Sequence, residues 1–271
     1  MTGADGNQER GWEPPALSRR TVAKVSGLAA GGFAAILGVL TDAVDIEVRA
    51  DSGADESGER IYSTGDEIQL PRPGTAESTM HVSDAIADRR SRREYGTEPV
   101  TLAELGQLLW ATQGITERQV GRVDLRAAPS AGATYPLDVF AVPDTPGVRS
   151  LEPGVYQYRP GSHELARLRT GAFGAELQDI AIDQEWVGGA ALNIVITAVD
   201  ERTTQRYGMR GHRRYVPMEA GHAGQNLYLQ AEALDLSTVA IGAFRDDDLL
   251  ELLGVGQEHR PLYIYPVGRR R

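Results

Sequence analysis

Arg89-Arg90-Ser91-Arg92-Arg93 places four guanidinium groups and one hydroxyl within five residues of chain. Guanidinium forks pair bidentately with phosphate oxygens and the hydroxyl adds a further donor, so the run is suited to an anion. A solvated basic turn would have the same composition. Here the run stands in a protein of net charge -10, where concentrated positive charge is unusual. In the second informative stretch, Arg126 to Pro136, the small residues Ser130, Ala131 and Gly132 lie between Pro129 and Pro136. Small side chains leave backbone amides uncovered, a surface suited to the edge of a planar heterocycle; taken alone, the same residues also make an ordinary turn. In the third, Thr238 to Ile241 reads as a short buried strand opening onto Gly242-Ala243-Phe244. A glycine there lets a flat ligand come near the backbone.

These stretches need elements to hold them. The organising one is Glu219 to Phe244, where Ala220, Ala223, Leu227, Ala231 and Leu234 recur at helical spacing. Tyr228, Leu229 and Ala233 widen the stripe until most of the circumference is apolar or small, which predicts a buried helix from Ala220 to Leu234. Thr101-x-x-Glu104 is a capping box opening a helix that ends at Gly114. Ser83-Asp84 is expected to cap a short helix ahead of the arginines, and Asp246 another through Leu253. Leu137 to Val142, a hairpin over Val155 to Leu168, Leu192 to Val199 and Pro261 to Val267 read as strands, with a helix from Glu176 to Ile182. Hairpins mixed with helices, without βαβ alternation, give an α+β class.

Length and composition bound the rest. The 271 residues suit one large domain or two small ones. The acidic balance argues against nucleic acid as a partner. Lys24 is the only lysine; an acidic surface using arginine for lysine is halophile-like, although GC-rich coding has the same effect. With no cysteine there is no disulfide, thiolate ligand or cysteine nucleophile. The five histidines show no i, i+4 pairing, so no metal site is expected. Ser18-Arg19-Arg20-Thr21-Val22-Ala23-Lys24 followed by an uncharged Val25 to Thr41 resembles a twin-arginine export signal. Residues 1–44 are therefore expected to export or anchor the chain; a cytoplasmic protein with an ordinary N-terminal arm is the alternative. Residues 45–79 read as an acidic linker, with one extended piece within 65–73, and residues 80–271 as the folded domain.

Taken in order, Arg89-Arg90-Ser91-x-Arg93, Arg126-x-x-Pro129-Ser130-Ala131-Gly132-x-x-Tyr135-Pro136, Glu219-x-Gly221-His222-x-x-Gln225-Asn226, Gly242-Ala243-Phe244 and Pro266-Val267-Gly268-Arg269 resemble the nitroreductase superfamily over about residues 80 to 271. The likeness is greatest to its SagB-type dehydrogenase branch, whose best-known members oxidise azoline rings in peptides. The resemblance implies a nitroreductase-like fold, bound FMN, and an intertwined homodimer with each flavin at the subunit interface. Carried over by position, Arg89 and Ser91, within a cluster that includes Arg90, would bind the FMN phosphate together with Arg269. Arg93 would face the pyrimidine side of the ring. Pro129, Ser130 and Ala131, in the loop that Gly132 closes, would meet the ring edge, and Gly242 and Ala243 would approach N5. Azoline-oxidising members carry a Lys-Tyr pair ahead of the Glu-Ala-Gly-His helix; here the segment is Arg206-Tyr207-Gly208, and arginine is no base near neutral pH. Tyr207 is left as proton donor or orienting group. The expected activity is hydride transfer between flavin and a small-molecule or peptide substrate, with NAD(P)H as a candidate donor. Flavin binding without turnover, and a domain that has lost its flavin, are the alternatives.

Overall fold

The structure, a computed structural model, describes residues 67–76 and 78–271. The expected twin-arginine segment and the acidic stretch up to residue 66 lie outside the described residues. In chain order the elements are β1 (Glu67–Gln69), α1 (Val82–Asp88), α2 (Leu102–Gln113), a small hairpin of β2 (Ile115–Glu117) and β3 (Leu125–Arg126), and β4 (Leu137–Pro143). There follow β5 (Gly154–Arg159), β6 (Glu164–Thr170), α3 (Gly174–Ile180), α4 (Glu185–Gly188), β7 (Leu192–Val199) and α5 (Glu201–Tyr207). A π-helical turn, Gly211–Tyr215, leads into α6 (Val216–Ala233), and β8 (Leu236–Thr238), α7 (Asp246–Leu253) and β9 (His259–Arg269) complete the fold.

Seven strands form one sheet in the order β1-β6-β5-β4-β7-β9-β8, each neighbour antiparallel. The strand period of two separates the faces. Val139, Ala141, Ile194 and Ile196 pack with Leu105 and Leu109 of α2 and Ala223 and Leu227 of α6. Phe140, Val142 and Val195 pack on the opposite side with Leu177 of α3 and Leu249 and Leu252 of α7. Helices on both faces explain why β7 is apolar almost without interruption. The class is α+β, as expected.

At the helix starts, Thr101 and Glu104 form the expected capping box, with both reciprocal bonds in place. The expected caps at Ser83-Asp84 and Asp246 are not formed. Helix α1 begins at Val82 after His81 and α7 follows Arg245, and neither cap residue supplies a side-chain bond. Asp246, Asp247 and Asp248 occupy the first turn of α7, where negative charge favours the helix dipole. Residues before 80 also contribute to the folded core: Ile68 and Leu70, in the stretch expected to be linker, are buried in it. Helix α6 differs most from expectation. Its core face is buried, but Met218, Gly221, His222 and Gln225 form an exposed stripe, with Met218 52% exposed. Of its polar residues, Asn226 donates to Ala111 and Ala127 carbonyls, and Gln230 accepts from Gln107.

Candidate functional site

Helix α1 ends because Arg89 adopts extended backbone (φ -54°, ψ 123°). The arginine run is then stitched to the end of α6. The Arg92 amide donates to the Thr238 carbonyl at 2.9 Å, and its guanidinium pairs with Glu232. Glu232 is buried and is also ion-paired with Arg270 Nη2 at 2.8 Å. Two arginines thereby satisfy one buried carboxylate, as a charge removed from water requires. Among the described residues Arg89, Arg90 and Arg93 form no ion pair, so their charge stays available. Arg89 lies over the Tyr228 ring at 5.0 Å and Arg93 over Trp186 at 5.2 Å. Arg90 donates to the Ala87 and Arg89 carbonyls.

Tyr228 joins this run to the glycine stretch. Its hydroxyl shares a 2.9 Å hydrogen bond with Ser91 Oγ and accepts from the Ala240 amide at 2.7 Å. Gly242 and Ala243 follow, both exposed, and a Cβ at Gly242 would meet nothing within 4 Å. The strand expected here is shorter: β8 stops at Thr238 and only Ile241 pairs again, as a bridge to Ile264. Beside the cluster is a cavity of about 360 Å³ lined by Arg92, Arg93, Glu94, Ser237, Arg270 and Arg271. Ser237 Oγ is buried and makes no hydrogen bond among the described residues. Arg269 is engaged elsewhere, bidentate to Glu104 at 2.6 and 2.7 Å. Its neighbours Arg270 and Arg271 line the cavity instead. Arg269 ends β9 and Arg270 and Arg271 lie beyond it, so choosing among three consecutive arginines needed their tertiary partners. From sequence, Tyr228 reads only as part of the helix stripe and Trp186 and Glu232 have no site role; their aromatic and acidic types are visible there, their partners are not.

The proline-serine loop forms a second cluster. A 3₁₀ turn, Ala131–Ala133, carries Gly132 at φ +64°. A side chain there would be strained, and its Cβ would stand 2.5 Å from Tyr207 Oη and 2.8 Å from Arg206 Nη1. Arg206 Nη1 donates to the Gly132 carbonyl at 3.2 Å. Tyr207 packs edge-on against Tyr215, ring centroids 5.0 Å apart, so α5 and the π-helical turn both close over the loop. Such π turns recur at functional sites.

Between the loop and the start of α6 lies a cavity of about 240 Å³ lined by Pro129, Ser130, Ala131, Tyr215, Met218, Glu219 and His222. Glu219 is only 3% exposed, and its Oε1 has no hydrogen-bond partner among the described residues. Burial pushes its carboxyl up to about 7, against the opposing pull of the Ser130 hydroxyl, the Arg126 guanidinium and the Gln113 side chain. Arg126 is itself held by Gln113 Oε1 at 3.0 Å and lies over the Tyr135 ring at 4.6 Å. Sequence reasoning gave Glu219 no role. The available signal was a carboxylate at the start of an otherwise apolar helix.

The two clusters are separate within one chain. Glu219 and Tyr228 mark their places on α6, about 13 Å apart along the axis at 1.5 Å per residue. Among the described residues no hydrogen bond, ion pair or ring contact links them.

Residues 86–269 match the Nitroreductase family. A protein named as a nitroreductase from Methanocaldococcus jannaschii is 41% identical over 207 residues, covering 76% of this chain and 98% of that protein. The crystal structure of a protein named as a nitroreductase from Ralstonia eutropha aligns with a TM-score of 0.64 and 26% identity, covering 78% of this chain and 93% of that one. A chain from the Escherichia coli microcin synthetase McbBCD complex with truncated pro-MccB17 aligns with a TM-score of 0.57 and 25% identity, covering 74% and 77%.

Proposed function

Because the chain belongs to the nitroreductase family, we propose that it is an FMN-dependent oxidoreductase of the SagB-dehydrogenase type, acting on a small-molecule or peptide substrate. One observation carries the cofactor assignment. Unpaired arginines, a serine hydroxyl tied to Tyr228 and the uncovered backbone of Gly242-Ala243 converge on one place. An anion and a flat ring need those two surfaces side by side. Arg89, Ser91 and Arg271 would hold the phosphate, and Gly242 and Ala243 would leave room for the ring. FMN bound there would supply the two-electron, hydride-carrying chemistry, and the protein supplies position and charge. Tyr207, held over the loop, orients a substrate or offers it a proton. Arg206 occupies the position at which azoline-oxidising relatives have lysine, so azoline oxidation by the same route is not part of this assignment.

The exposed stripe of α6 supports a homodimer. Two α6 helices packed antiparallel about a two-fold axis would bring the Glu219 end of one beside the Tyr228 end of the other, joining the separated clusters into two whole sites. Light scattering on the protein lacking residues 1–44 is expected to give about twice the chain mass; a stable monomer that keeps its flavin would refute the arrangement. For the cofactor, the chromophore released by heat should run with FMN on chromatography. FAD, or no chromophore, would refute the assignment. Bleaching of the flavin by NAD(P)H separates an oxidoreductase using that donor from a protein that binds flavin without turnover.

A further inference from the structure

We propose that Glu219 is the group that takes up a proton when negative charge enters the cavity walled by the Pro129–Ala131 loop, coupling reduction of a flavin seated against that loop to a second proton. The inference rests on the FMN assignment and on the homodimer above, in which the Pro129–Ala131 loop of one subunit would border the ring held by the other. Its foundation is geometric: Glu219 stands at the floor of the cavity and is only 3% exposed, and Oε1 is buried without a hydrogen-bond partner among the described residues. A structural carboxylate so placed would be expected to have its lone pairs filled. This one faces Gln113 from α2, Arg126 from β3 and Ser130 from the loop. Arg126 is shared with Gln113 and with the ring of Tyr135, and further charge reaches it from Asp138 and Arg202. His222 and Tyr215 occupy the cavity wall, and His222 is exposed to solvent. A carboxyl whose ionisation is balanced between burial and one shared cation changes protonation readily when a neighbouring charge changes.

The balance is as follows. Two electrons from a reduced nicotinamide or an electrode reach the flavin with one proton, adding one net negative charge. Above pH 7 Glu219 is ionised beforehand, its carboxyl titrating at about 7. It then takes the compensating proton from solvent, so the two-electron step consumes two protons. Below that pH Glu219 is already neutral and the step consumes one.

The test is spectroelectrochemical titration of the FMN-loaded protein and of Glu219→Gln on both sides of pH 7. For a two-electron couple each proton contributes about 30 mV per pH unit. The wild-type potential should fall by about 59 mV per pH unit above the break and about 30 mV below it, whereas Glu219→Gln should stay near 30 mV throughout. In wild-type protein above the break, the redox-difference infrared spectrum should gain a protonated-carboxyl stretching band on reduction. That measurement decides the question without the variant should Glu219→Gln fail to fold. Bound FMN with no break in slope and no carboxyl band overturns the inference alone. Failure of the wild type to bind FMN overturns the functional assignment and this inference with it.

Discussion

Gly224 lies in the middle of α6, where alanine would ordinarily favour the helix by about 1 kcal/mol. The structure reverses that sign. A Cβ at Gly224 would stand 2.0 Å from Tyr265 Oη and 3.0 Å from Tyr265 Cζ. Tyr265 is buried on β9 and held between Tyr228 and Tyr263, with ring centroids at 5.6 and 5.4 Å, so its ring has little room to retreat. Overpacking a dense core costs about 1–3 kcal/mol, and so short a contact belongs at the upper end. After the gain in helix propensity, Gly224→Ala should destabilise by about 2 kcal/mol. For a domain of this size that lowers Tm by about 4–8 °C. Urea unfolding followed by tryptophan fluorescence should show a lower midpoint with an unchanged slope. Tyr265→Phe removes the atom at 2.0 Å and leaves the one at 3.0 Å, so the double variant should recover about 1 kcal/mol relative to the sum of the singles. Additive effects, or a Gly224→Ala protein as stable as wild type, would refute the claim that Tyr265 closes over the helix there.

Three further outcomes are expected. Arg89→Ala should weaken FMN binding by about 1.5–3 kcal/mol, the loss of a charge-assisted hydrogen bond, as read by flavin fluorescence titration; an unchanged affinity would remove Arg89 from the phosphate site. Because the Glu219 carboxyl is raised from 4.5 to about 7, its contribution to stability is full below pH 4.5 and is lost as pH rises to about 7. Chemical denaturation should therefore show Glu219→Gln gaining about 3 kcal/mol relative to wild type between those limits, and a constant difference would contradict the shift. Replacing Arg19 and Arg20 with lysine should abolish export in the native host without altering flavin binding; equal distribution of the variant, or a wholly cytoplasmic wild type, would reject the signal.

Much of this architecture was legible because local and tertiary preferences agree. The largely apolar runs of Leu137 to Val142 and Leu192 to Val199 and the Thr101–Glu104 box each specify an element without outside help. Helix α5 and the π-helical turn were not legible. Their stretch has no apolar period, and they are held by tertiary contacts: Thr203 buried against Gly211, Arg202 paired with Asp138, and Asp200 bonded to both His212 and Arg260. The extended piece expected within 65–73 is β1, added to the edge of β6, but the burial of Ile68 and Leu70 was not legible because their acidic, glycine- and proline-rich surroundings read as linker. In the candidate site the donor residues could be named from type and order. Their grouping into two clusters depends on packing along α6, and the role of Glu219 depends on what buries it.

The position of β9 has a consequence for synthesis. It is the last described strand in chain order, yet it lies inside the sheet, between β7 and β8. Val199 pairs with His259, so about 60 residues must be made after β7 before its free edge begins to be covered. At 5–20 residues per second that interval is roughly 3–12 s. Throughout it the nascent chain carries a strand that is apolar on both faces and unpaired on one side, a surface on which other chains can add. A fusion or deletion that delays or weakens β9 therefore lengthens this exposure. Its effect should appear first in how much chain escapes aggregation, with each molecule that completes the sheet working normally.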